Sequence, residues 1–66
     1  MFTLKSIHPI MLKDTLVKLG YSDSSAHTIT AQYIEHPNDR RYWGTEEQTK
    51  KDVEYAIETH GTIEPR

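Results

Sequence analysis

The sequence predicts a mainly α fold, a compact three-helix domain, and three observations carry that expectation. Apolar residues recur at helical spacing in three separate segments. Proline, or a residue with a short side-chain oxygen, stands where each segment begins. Glycine or proline follows where each should stop. With 66 residues there is room for a single domain, 1–66. A chain this short buries roughly 60% of the surface its unfolded form exposes, so self-association as a homodimer is open to it as a source of stability.

The first helix is expected from about Pro9 to Leu19. Pro9 suits the first helical position, where its missing N–H costs nothing, and it pushes His8 into an extended conformation. Leu12, Leu16 and Leu19 share one stripe, which Met11 and Val17 widen. Asp14 and Lys18 form an i,i+4 pair in the favourable order, and Gly20 supplies the left-handed stop. The second helix starts in Ser22-Asp23-Ser24-Ser25, whose short oxygens accept free N–H groups of a first turn. It buries Ala26, Ile29, Tyr33 and Ile34, and it ends near Glu35 because Pro37 disfavours a helical His36.

Asn38-Asp39 favours a turn. Arg40 to Trp43 reads as extended, a candidate partner for the weakly alternating segment 2–7 in a short two-stranded β element added to the helices. The third helix is expected from Thr45, with Thr45 and Gln48 as a capping box and with Glu46–Lys50 and Glu47–Lys51 as i,i+4 pairs. Val53, Ala56 and Ile57 form its buried stripe, Gly61 ends it, and Thr62 to Arg66 reads as a tail.

Composition narrows the function classes. There is no cysteine, which removes disulfides and thiolate metal sites and fits a cytoplasmic protein. The longest apolar run, Ile10-Met11-Leu12, is far too short to span a bilayer, so no membrane role is expected. Net charge is -2 and falls along the chain: +2 over residues 1–22, -1 over 23–44 and -3 over 45–66. A dedicated nucleic-acid binder normally carries a basic stripe, which is missing here.

Catalysis finds little support. The chain has no glycine-rich phosphate loop, no cysteine nucleophile and no nucleophile elbow, so it is read as a non-enzyme that needs no cofactor. His8, His27, His36 and His60 lack ligand spacing. Asp23 and His27 stand at i,i+4, but Asp23 is better read as a capping residue and His27 as solvated, so no metal site is expected.

Three features remain for binding. Asp39-Arg40-Arg41-Tyr42-Trp43 concentrates the residue types that dominate binding hot spots; Arg40, Arg41, Tyr42 and Trp43 are therefore candidate anchors, with a core role for Trp43 as the plainer alternative. Glu47, Asp52, Glu54 and Glu58 would form an acidic rim on the third helix, either a solvated face or a mimic of a phosphate track that docks on a basic protein surface. The first two helices and Gly20-Tyr21 also suit a helix-turn-helix. Ser24, Ser25, Thr28 and Gln32 would then face base edges, with Arg40 and Arg41 beside them, although the second helix offers no lysine or arginine to phosphates.

Residues 20–43 resemble part of the small phage-encoded anti-CRISPR proteins that act on type I-E systems. The shared pattern is a turn, an acidic residue at a helix start (Asp23), a tyrosine near the helix end (Tyr33), then Asp39-Arg40-Arg41-Tyr42-Trp43. The resemblance covers about a third of the chain. It implies a non-enzymatic inhibitor whose partner is a bacterial nucleic-acid-binding protein complex. Direct DNA binding by a helix-turn-helix regulator is the alternative.

Overall fold

A computed structural model describes residues 7–60. Its elements are α1 (Pro9–Lys18), α2 (Asp23–Glu35), a single 3-10 turn (Arg40–Tyr42) and α3 (Glu47–His60). The expected mainly α, three-helix architecture is the one observed, and no strand occurs among the described residues. Helix α1 packs on both α2 and α3, while the 3-10 turn closes on the end of α2.

The first helix starts as expected, with Pro9 at its head and the His8 Nδ1 accepting the Ile10 N–H at 3.2 Å. Its end is a Schellman motif. Tyr21 N–H donates to the Leu16 carbonyl at 3.1 Å and Gly20 N–H to that of Val17 at 3.0 Å, with Gly20 at φ 112°. This closure also turns Tyr21 back against the core beside Leu16. Helix α2 is capped by Ser22, whose hydroxyl accepts the Ser25 N–H at 3.1 Å. Asp23 is thus the first helical residue rather than the cap, and it sits 3.6 Å from Lys13 Nζ.

The core consists of Leu12 and Leu16 from α1, Ala26, Ile29 and Tyr33 from α2, Val53, Ala56 and Ile57 from α3, and Trp43 from the connection between α2 and α3. Ile7 and Tyr21 pack at its edge. Several apolar residues expected inside lie outside: Ile34 is 54% exposed, Leu19 44%, and Met11 and Val17 40% each. Thr15, Thr30 and Thr49 are buried in their stead. Three short helices present a narrow shared interior, and Trp43 occupies space that a wider apolar stripe would have used.

Two local expectations need correction. Arg40 to Trp43 is not extended. The Asp39 carboxylate accepts the Arg41 N–H at 3.1 Å. Tyr42 N–H then donates to the Asp39 carbonyl, and Trp43 N–H to that of Arg40, both at 3.2 Å. These bonds coil the segment into a 3-10 turn, so the β element has no strand on this side; its other half, residues 2–6, lies outside the described residues, as do the Gly61 stop and the tail. The third helix has its cap one residue later than expected, at Glu46 rather than Thr45. The Glu46 carbonyl accepts from Thr49 and Lys50, which makes Glu46 the cap position, and Gln48 Nε2 donates forward to Asp52 Oδ1 at 3.0 Å instead of back to Thr45. Gly44 sets this entry: a Cβ there would overlap the buried Thr49 side chain, so the chain passes tightly over Thr49 before it can coil.

Candidate functional site

The residues of Asp39-Arg40-Arg41-Tyr42-Trp43 separate into one that builds the core and others that form a surface. Trp43 is fully buried, the largest side chain that is, and meets the Tyr33 ring edge-to-face with centroids 5.3 Å apart. Its indole N–H donates to the His36 carbonyl at 2.9 Å, which ties the segment back to the end of α2. Of the two readings of Trp43, candidate anchor or core residue, the structure has the core one. The reason is volume: a thin core of Leu, Ile, Val and Ala needs large rings to fill it, and Trp43 packs there against Tyr33.

Anchored from beneath in this way, the exposed side chains stack. The Tyr42 ring lies on the His36 imidazole with centroids 3.6 Å apart and planes 16° from parallel. The Arg41 guanidinium carbon lies 5.9 Å from the Tyr42 ring centre. Asp39 grips the same guanidinium with both oxygens, Oδ1 to Nε at 3.0 Å and Oδ2 to Nη2 at 2.8 Å. Those hydrogen bonds hold the Asp39 carboxyl down at about 2, and the ion pair raises the Arg41 guanidinium in return. Tyr42 remains 43% exposed at the surface of this stack.

Arg40 turns the other way, to Glu54 Oε2 at 2.6 Å. That contact joins the 3-10 turn to α3 and neutralises one of the four carboxylates expected to form an acidic rim. Glu47, Glu54 and Glu58 recur at i, i+7 and i+11 and share a face of α3. Asp52 stands roughly 120–160° away around the helix. It accepts the Tyr21 hydroxyl at 2.7 Å, with Thr49 Oγ1 3.3 Å from the same oxygen. Burial, followed by the hydrogen bond to Asp52, raises the Tyr21 phenol above its usual value. Asp52 thus holds α3 to the α1–α2 turn instead of lining a rim; of the four, Glu47 and Glu58 are the exposed ones.

The helix-turn-helix residues lie on the outer face of α2. Thr28 donates its hydroxyl to the Ser24 carbonyl at 3.0 Å. Ser24, Ser25 and Thr28 line an open cleft of about 450 Å³ with Tyr21, Thr45 and Glu46. A phosphate approaching along this face would meet the Glu46 carboxylate, and neither arginine is free to offset it. Among the described residues, no three of His, Asp and Glu come together as a metal-binding group, and no helix is long and apolar enough to cross a membrane.

His36 was the member of the stack that sequence reasoning missed. It is six residues from Tyr42, a spacing that no regular element brings together; only the reversal around Pro37–Asp39 does. Comparison of the chain with known protein families, with curated proteins and with solved structures gives no match.

Proposed function

We propose that this chain is a non-enzymatic protein-binding modulator that occludes a bacterial nucleic-acid-processing complex, as its resemblance to anti-CRISPR proteins implies. The supporting observation is the Arg41–Tyr42–His36 stack, exposed yet held in place by the buried Trp43 and the Asp39 clamp. Side chains ordered before binding lose less entropy on association, and tyrosine and arginine supply large contact areas with polar handles. Glu47 and Glu58 add an acidic edge that favours a basic surface, the kind that binds nucleic acid.

Internal pairing of both arginines weighs against the DNA-reading alternative. Phosphate contacts need cations free to replace counterions. Arg40 is committed to Glu54 and Arg41 to Asp39, and Glu46 lies where the backbone would pass.

The test is a tagged pull-down from nuclease-treated bacterial lysate, comparing wild type with an Arg41→Ala/Tyr42→Ala variant whose helicity is unchanged. The expected result is a defined nucleic-acid-processing complex that is retained at raised salt and lost with the variant. Recovery of salt-labile DNA alone from untreated lysate would transfer the assignment to the helix-turn-helix reading.

A further inference from the structure

One opening in the described surface plays no part in the stack. It is the cleft of about 450 Å³ between the first turns of α2 and α3. That volume falls within the ~300–1,000 Å³ of small-molecule sites. Ser24, Ser25 and Thr45 are exposed along it, and their hydroxyls have no hydrogen-bonding partner among the described residues. The Thr28 hydroxyl gives its proton to the Ser24 carbonyl at 3.0 Å and keeps its lone pairs for an incoming donor. Beneath lie Ile29, 9% exposed, and the Tyr21 ring, which its hydroxyl pins to Asp52 at 2.7 Å.

The chemistry of the lining selects the ligand. A hydroxyl both donates and accepts and rotates to suit, so free serine and threonine side chains take ligand hydroxyls in either role. Glu46, exposed in the same cleft, can accept from two neighbouring hydroxyls of one ligand. Charge favours a neutral molecule. The Glu46 carboxylate repels an anion, while the positive ends of α2 and α3, which both begin at this cleft, disfavour a cation. Among the described residues that line it there is no lysine, arginine or histidine. Tyr21 and Ile29 offer an apolar floor to C–H groups. Hydroxyls around an uncharged C–H face describe the surface of a sugar.

We infer that the cleft between the first turns of α2 and α3 binds a neutral saccharide, with Ser24, Ser25, Thr45 and Glu46 holding its hydroxyls and Tyr21 and Ile29 beneath a C–H face of the ring. The hydroxyls that a DNA-reading α2 would turn to base edges are thereby assigned to a small ligand. Each hydrogen bond formed replaces one to water, and an open cleft leaves part of the ligand hydrated. The affinity is accordingly modest, with a dissociation constant on the order of 1 mM. Ser24 lies about 18 Å along α2 from His36, so the stack stays free for a macromolecular partner and the two sites are independent.

The experiment is an NMR titration of the isotope-labelled full chain with maltose, cellobiose, lactose and sucrose in turn, each to about 50 mM, followed by amide shifts. At least one sugar should saturate, with the moving amides confined to 21–29 and 44–49 and those of 36–43 unmoved. Ser25→Ala/Thr45→Ala changes two exposed positions and should keep the wild-type helicity. It should weaken that binding roughly tenfold, the loss of two hydrogen bonds. Glu46→Gln, which keeps an acceptor without the charge, should weaken it roughly threefold. Inorganic phosphate and putrescine at the same concentration should leave these amides in place. The proposal is overturned if none of the sugars saturates, if phosphate or putrescine fills the cleft instead, or if the alanine pair binds sugar as wild type does.

Discussion

Replacing Trp43 by phenylalanine tests how the loop is held. The indole is fully buried, donates to the His36 carbonyl at 2.9 Å and meets Tyr33 edge-on. Phenylalanine keeps an aromatic ring but removes the N–H and the second ring. Leaving the His36 carbonyl without its donor costs about 1 kcal/mol or more. The void left by the missing ring atoms adds about 1 kcal/mol at roughly 24 cal/mol per Å³, and their lost transfer free energy adds a similar amount. The expected destabilisation is therefore about 2–4 kcal/mol, a large share of the stability of a domain this small. Urea unfolding followed by far-ultraviolet circular dichroism reads it directly. Intrinsic fluorescence of the wild type, whose only tryptophan is this one, should be blue-shifted when folded and shift red on unfolding. A loss under 1 kcal/mol with an unchanged denaturant slope, or native emission typical of a hydrated indole, would refute the assignment of Trp43 to the core.

Other consequences follow from single contacts. Gly44→Ala should destabilise by about 1–3 kcal/mol, because a Cβ there overlaps the buried, β-branched Thr49; a neutral result in thermal unfolding would mean that the α3 entry is looser than described. Ser22→Ala should cost about 1 kcal/mol and Thr45→Ala much less, since Ser22 caps α2 whereas Thr45 precedes the cap position of α3; the reverse order in urea titrations would restore Thr45 as the cap. The Asp39 carboxyl should titrate near pH 2 by carbon-detected NMR, and Arg41→Ala should return it towards 3.8. Its folded value is depressed, so the Asp39–Arg41 pair contributes stability above about pH 4 that is lost as pH falls through about 2; a titration near 4 in wild type would remove the clamp.

Much of the architecture was legible in the chain. Proline at position 9, glycine at 20, the serine cluster at 22–25 and proline at 37 act within one or two turns of themselves, and they bound α1 and α2 as expected. Local chemistry of this kind depends on neighbours in sequence, which a sequence displays. What failed was whatever depended on which side of a helix meets another. Ile34 and Leu19 fit an apolar stripe and yet face outward, because the burial of Trp43 leaves less interior to fill. Asp52 belongs by composition with Glu47, Glu54 and Glu58, but its helical register sets it on another face, where it meets Tyr21, 31 residues away. Arg40 and Arg41 are adjacent in sequence yet point to Glu54 and Asp39. The limits of α1 and α2 and the class of fold were therefore determined by the sequence itself through short-range hydrogen bonding and backbone preference. The composition of the candidate surface, with His36 in it and Trp43 beneath it, was decided only in three dimensions, where side chains far apart in the chain compete for the same small volume.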